Sequence, residues 1–440
     1  MTIDFSEQLR KSHETLAAGD PRGAFGALRC VFRSPDLAER RDDLREALRS
    51  FSQIARRIAG PELGGVVDRA ASHLDSAQSL YDLGYQLIDE HLPDIAACVL
   101  SRAARLAPGE EAIVTELCSA LEHDGRNDEA CRVLRAEEAL CATSFTCRYL
   151  LAFNSVLSGD LDAATQLVHS LQAHTDEGEA FMAGRIDEML QRAKLARRGG
   201  DLGPEDLRGW HFVATGAVLL HLSPYGFDEG MRGRYAFTQD SPARCRLGLE
   251  RLRTVLEAWE AEGAGAPSRL LGLPDRDSQI LGRAASELLG LPLIDYKADL
   301  PGLIIAYDLS TLDPQTPPEI IGHRRGQVLF AHASCWTDPA PCAADLTTYL
   351  YQTQQTPWGE RLRAGDGAMQ LAPPDDAPPL MIAARIVAAE LSAEEELPHD
   401  GLTGLVDFVR AVRLGASAFR ETGRRSPLWE GSPVKSSRFI

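Results

Sequence analysis

Three turns in the first half of the chain stand 34 residues apart and read HLPDIAA, HDGRNDEA and LSGDLDAA. Each brings an alanine to the same phase: Ala96, Ala130 and Ala164. Twelve residues before each alanine is another small residue, Gly84, Cys118 or Ala152, preceded by Leu83, Leu117 or Leu151. Four residues after each alanine comes an aliphatic, Leu100, Leu134 or Val168. A period of this length is what stacked helical hairpins write into a sequence, because each hairpin buries its apolar face only against its neighbours. The small pair has a direct physical reason. Two antiparallel helices approach closely only where both present small side chains, and the aliphatics around the crossing fill the space to the next hairpin.

The surrounding composition agrees. Residues 1–200 contain no Trp and are rich in Ala, Leu, Arg and Glu, which are strong helix formers. Apolar residues recur at three- and four-residue steps, as in Leu80, Leu83, Leu87 and Val99, Leu100, Ala103, Ala104. The pattern Leu83-Gly84, Ala96, Leu100, Ala103, Pro108 resembles the tetratricopeptide repeat family. It covers 74–176 firmly and 1–73 loosely, with Ala24 in the alanine's role there. The later copies depart at Glu137, Thr143 and Leu171. The resemblance implies an all-α solenoid over 1–200 whose concave face is lined by the first helix of each hairpin. On that face the expected partner-binding residues are Tyr81, Tyr85, Thr115, Ser119, Tyr149 and Phe153, aromatic anchors with small polar neighbours suited to a peptide. HDGRND, with Arg126 among its acids, fails the calcium-loop pattern and reads as a turn.

After LARRGGDLGPEDL the chain changes character: all five Trp follow, Gly and Pro become frequent, and short apolar runs alternate with helical stretches. HFVATGAVLLHL (211–222) reads as a strand or a buried helix, and SPYGFDEGMRGRYAF (223–237) as a long loop or lid. PARCRLGLERLRTVLEAWEA (242–261) is an amphipathic helix; SRLLGLP is a strand; DSQILGRAASELLG is a helix with Asp277 as its N-cap and Gly290 as its stop. PLIDY, GLIIAYDLS and GQVLFAHASCW are further strands. This order predicts an α/β domain over 205–371 with a largely parallel sheet. A Pro-rich linker, APPDDAPP, leads to C-terminal helices and a polar tail with Trp429, Phe439 and Ile440 over 380–440. The fold class is thus α+β multidomain.

RLLGLPDRDSQ followed by ILGRAASELLGLP, and later GLIIAYDLSTLD, resemble the phosphoribosyltransferase-like fold in degenerate form. The resemblance implies a ligand loop of Asp308, Ser310 and Thr311. The acid pair is reduced to Tyr307-Asp308, and no glycine follows in Ser310-Thr311-Leu312-Asp313, which argues against transfer chemistry. Asp275, Asp277 and Ser278 stand at a predicted strand's carboxyl end, where open α/β sheets bind ligands. His332 and Cys335, three apart on a strand, point to opposite faces and form no local dyad.

Charge and cysteine usage narrow the classes. Lys plus Arg is 46 and Asp plus Glu is 64, a net charge of −18, which disfavours nucleic acid as a partner. No apolar stretch is long enough to span a bilayer, and MTIDFSEQLRKSHE lacks an apolar signal core, so the expected compartment is the cytoplasm. The nine Cys form no close pairs, so neither a disulfide nor a zinc framework nor any other cofactor is expected. The expected function is a protein–protein adaptor or regulator with another protein or a peptide in the groove, self-association being left open. The alternative is an enzyme acting on a nucleotide or sugar phosphate through the α/β domain.

Overall fold

The computed structural model describes residues 4–34, 36–171, 176–200, 202–263, 265–312, 318–338, 340, 342–364, 369–391, 400–413, 423–428 and 432–436. The chain divides into two compact units, 1–187 and 188–439, joined through one helix that crosses the boundary.

The first unit is helical. Consecutive helices pack as hairpins: α1 (Phe5–Ala17) with α2 (Pro21–Phe32), α3 (Arg41–Ile58) with α4 (Pro61–Ser72), and α5 (Ala77–Asp89) with α6 (Pro93–Leu106). Then come α7 (Glu111–His123) with α8 (Asn127–Ala136), a short α9 (Glu138–Thr143), and α10 (Phe145–Leu157) with α11 (Leu161–Leu171). The long α12 (Glu177–Gly199) follows. The small residues sit at the crossings. A Cβ on Gly84 would lie 2.4 Å from Leu100 Cγ, and Ala96, Ala130 and Ala164 are fully buried. The same device recurs earlier in the chain with serine as the small residue. Ser12 Oγ donates to the Ala24 carbonyl, and Ser52 Oγ to that of Gly64, both at 2.9 Å and both 12 residues on. The Ser52–Gly64 crossing lay hidden in the sequence because its spacing to the next hairpin breaks the 34-residue period.

The second unit opens with α13 (Leu207–Thr215) and β1 (Val218–Leu219), so 211–222 is helix and then strand. Next come β2 (Tyr235–Gln239), α14 (Pro242–Ala261), β3 (Leu270–Gly272), α15 (Arg276–Leu289), β4 (Leu293–Asp295) and β5 (Gly302–Asp308). The chain continues through β6 (Gly322–His323), β7 (Gln327–Cys335), β8 (Leu346–Gln355), β9 (Arg361–Ala364) and β10 (Met369–Ala372). It ends with α16 (Pro379–Ala388), α17 (Leu402–Val412) and β11 (Gly423–Arg424). The main sheet runs β1-β8-β7-β5-β3-β4, every pairing parallel. β2 pairs with β8 further along the edge that β1 begins. The edge strand is therefore one strand in two pieces, and the excursion between them closes where Ser223 N donates to Gly233 O. The end of the stretch read as a loop, 235–237, belongs to β2. The sequence did not mark β8, whose LTTYLYQTQQ lies between β7 and the edge strand.

Strand alternation gives the sheet two faces. On one, Leu271, Ile304, Ala306, Leu329 and Ala331 join Leu309, Ile320 and Cys342 in a core. Toward the other lie α14 and α15, with α16 and α17 packed on them. The C-terminal helices thus belong to the layer over the sheet. The described part of the tail docks on the same unit: Arg425 forks onto Asp345 and the Ile320 and Gly322 carbonyls, and Leu428 packs with Ala217 and Ala343. Trp429, Phe439 and Ile440 lie outside the described residues. Among the described residues no helix is long and apolar enough to cross a membrane.

Candidate functional site

A cluster of buried polar side chains stands at the carboxyl edge of the parallel sheet, and local sequence explains the position of Asp240 and Cys245 in it. Asp240 directly follows β2, and Ser241 then caps α14 by accepting from Arg244 N. One turn into that helix, Cys245 brings its thiol back over the Asp240 carboxylate. The Oδ2 atom of Asp240 accepts from Tyr307 OH at 2.7 Å, His332 Nε2 at 3.2 Å and Cys245 Sγ at 3.4 Å. All four residues are buried. Arg244 approaches the other oxygen, Oδ1, at 3.7 Å. Burial pushes the Asp240 carboxyl up, but His332, Arg244 and the Tyr307 hydroxyl more than offset it, leaving it below the usual carboxylate value. Burial and the Asp240 charge push the Cys245 thiol and the Tyr307 phenol well up.

A second carboxylate, Asp308, ends β5. It accepts from Ser310 N at 2.9 Å, Ser310 Oγ at 2.8 Å, Gln354 Nε2 at 3.1 Å and the Tyr351 hydroxyl. Burial raises its pKa despite these bonds. Asp275 caps α15 through Ser278 N at 2.8 Å, so the cap is Asp275 and not the expected Asp277. Asp277 lies one residue inside the helix and accepts from Trp358 Nε1 at 2.6 Å. Ser278 Oγ accepts from Tyr307 N. The expected ligand-loop residues Asp275, Asp277, Ser278, Asp308 and Ser310 therefore gather at one sheet edge, each tied to protein partners. Asp275 Oδ2 is the exception, buried with no partner among the described residues. The side chain of Thr311 lies outside the described residues. His332 and Cys335 do fall on opposite faces, and the Cys335 thiol meets Thr337 Oγ1 and the Gln352 carbonyl.

A third hub is Asp400, which accepts from Arg208, Arg251, His221 Nδ1 and Leu222 N. With Nδ1 donating, His221 Nε2 accepts from Tyr235 OH at 3.0 Å, the neutral tautomer that burial favours. Sequence reasoning missed Asp240, Cys245 and Asp400 because their partners are remote in the chain. The one local signal was the strand–cap–helix step TQDSPARC.

In the helical unit the six expected partner-binding residues separate. Tyr85 is exposed, Tyr81 half-buried beside it at 6.5 Å, and Thr115 and Ser119 half-buried on α7. Between them Glu116 is half-buried; burial and the Asp89 charge raise its pKa. Tyr149 and Phe153 are instead buried. They continue a ring stack from Phe145, and Arg185 of α12 lies 4.8 Å over Phe153 and donates to Tyr149 OH. They pack under α12 rather than lining open surface. No family model and no curated protein matches the chain.

Proposed function

We propose that the chain is an adaptor of the tetratricopeptide type whose helical unit docks a basic peptide segment of a partner protein, with the α/β unit as its ligand-binding or regulatory partner domain. The observation that carries this is the ledge of Tyr81 and Tyr85 beside Glu116. Two rings offer apolar and cation–π contact. Glu116 makes no ion pair among the described residues, and burial and the neighbouring Asp89 charge raise its pKa. An arginine or lysine laid there would relieve that repulsion, which is the charge complementarity that directs partner choice. The buried Tyr149 and Phe153 narrow the docking face to α5 and α7.

The test is a positional peptide library on the full chain, followed by polarisation titrations. Basic peptides with one aromatic or aliphatic anchor are expected. Tyr85→Ala is expected to weaken binding about tenfold or more, and Glu116→Gln to flatten the salt dependence. No selection of basic peptides, or binding indifferent to both changes, refutes the proposal. For the enzyme alternative, the favouring observation is Asp275 Oδ2, an unpartnered buried oxygen at the carboxyl edge of a parallel sheet. Against it stand Asp308, Ser310 and Ser278, all committed to internal hydrogen bonds.

A further inference from the structure

We propose that Asp240, Cys245 and His332 form a site for a divalent transition ion of the zinc class. The three donors come from the end of β2, the first turns of α14 and the middle of β7, and their ligand atoms all lie within 4.8 Å of one another. Carboxylate, thiolate and imidazole are the donor types such an ion takes. The spacings fit as well. Tetrahedral zinc with ordinary bond lengths sets nitrogen and oxygen ligands about 3.4 Å apart, and sulfur and oxygen about 3.6 Å. The Asp240 oxygen stands 3.2 Å from His332 Nε2 and 3.4 Å from Cys245 Sγ.

Tyr307 OH, at 2.7 Å, is too close to Asp240 Oδ2 to be a neighbouring vertex. It orients the carboxylate by hydrogen bonding, as outer partners of metal ligands do. The arrangement around His332 points the same way. A histidine that gives its Nε2 lone pair to a metal carries its proton on Nδ1 and needs an acceptor there. His332 Nδ1 and Thr348 Oγ1 are both buried and have no hydrogen-bond partner among the described residues. Both crowd Gly248, lying 2.8 and 2.5 Å from where its Cβ would be. Gly248 therefore has to be glycine, and Thr348, which makes no hydrogen bond to His332 in this structure, is the residue we assign as the Nδ1 acceptor once metal binds.

The proton balance is simple. Asp240 is already ionised. Cys245 loses its thiol proton to solvent, and its electron pair goes to the metal. His332 keeps one proton, on Nδ1, and gives its Nε2 lone pair to the metal. The thiol proton leaves as the ion binds, and no oxidation state changes. The dication itself balances the carboxylate and the thiolate, while Arg244 faces the other carboxylate oxygen, Oδ1, at 3.7 Å. This inference is independent of the adaptor proposal, since it concerns the α/β unit alone.

The full chain is expressed in minimal medium supplied with zinc or cobalt, so that metal enters during folding, and is dialysed before elemental analysis and absorption spectroscopy. One equivalent of metal is expected, with thiolate-to-cobalt charge-transfer bands. Cys245→Ser and His332→Gln are expected to abolish the bands, while Cys335→Ser and Cys342→Ser, which alter other buried thiols, leave them intact. Thr348→Val is expected to weaken retention against a competing chelator by roughly 10–100-fold. A wild-type chain without stoichiometric metal overturns the proposal, and so do bands that survive Cys245→Ser. Should Cys245→Ser fail to fold, loss of the bands in His332→Gln supports the site and their persistence overturns it.

Discussion

Replacing Asp400 with asparagine is the sharpest probe of how the α/β unit is held together. The carboxylate is fully buried and faces two guanidinium groups, Arg208 and Arg251, the second also fully buried. Removing one partner of a buried ionic cluster typically costs about 3–5 kcal/mol, because the remaining charge stays desolvated. Two features place this case at the lower end. Arg208 also donates to Leu219 O, and Arg251 to Leu220 O and Asp400 O, so part of each cation stays solvated by backbone. His221 can switch tautomer to accept from the new amide. The expected loss is about 3 kcal/mol, a large share of a typical stability, and a urea midpoint lower by about 1 M. Tryptophan fluorescence is the right signal, since all five Trp follow residue 209 and report on this unit alone. The pH dependence supplies a second check. Burial pushes the Asp400 carboxyl up, but the His221 hydrogen bond, Arg208 and Arg251 hold it below its ordinary value of 3.8. Its contribution is present above that ordinary value and disappears as pH falls through the lower folded value. The gap between wild type and variant is therefore flat from neutral pH to about pH 4 and closes below it. A loss under about 1 kcal/mol, or a gap that already fades between pH 7 and 5, would refute the reasoning.

Two further outcomes concern the helical unit. Ala96→Leu overfills a fully buried crossing and should cost roughly 1–3 kcal/mol; equal melting of Ala96→Leu, Ala130→Leu and the wild type by circular dichroism would remove the shared-crossing argument. Glu122 accepts from Asn154 Nδ2 at 2.5 Å, and burial raises its pKa to about 7. That contribution is complete below the unfolded value and is lost as pH rises through 7. Glu122→Gln should then stabilise the unit by about 3 kcal/mol at pH 8 and be neutral near pH 4.5, read as hydrogen-exchange protection of α7 and α10. A pH-independent difference would contradict the assignment.

Much of the local architecture was legible in the residues themselves. The 34-residue phase located the crossings at Ala96, Ala130 and Ala164, because small side chains are a local requirement of close helix contact. The bounds of α14 and the stop at Gly290 followed from Pro, Gly and helical periodicity, which act within a few residues. The parallel sheet followed from alternating apolar runs and helices. Tertiary structure alone decided the rest. LTTYLYQTQQ looks too polar for an inner strand, yet β8 is one: its Tyr351 hydroxyl reaches Asp308, a buried partner that the run itself does not contain. Tyr149 and Phe153 have the spacing of groove residues, yet they are buried, with Arg185 of α12 over them. The Asp240 and Asp400 hubs join residues 92 and 179 positions apart. Periodicity records which face of an element is apolar; it carries no record of which distant element arrives at that face, and buried charge is set by that arrival.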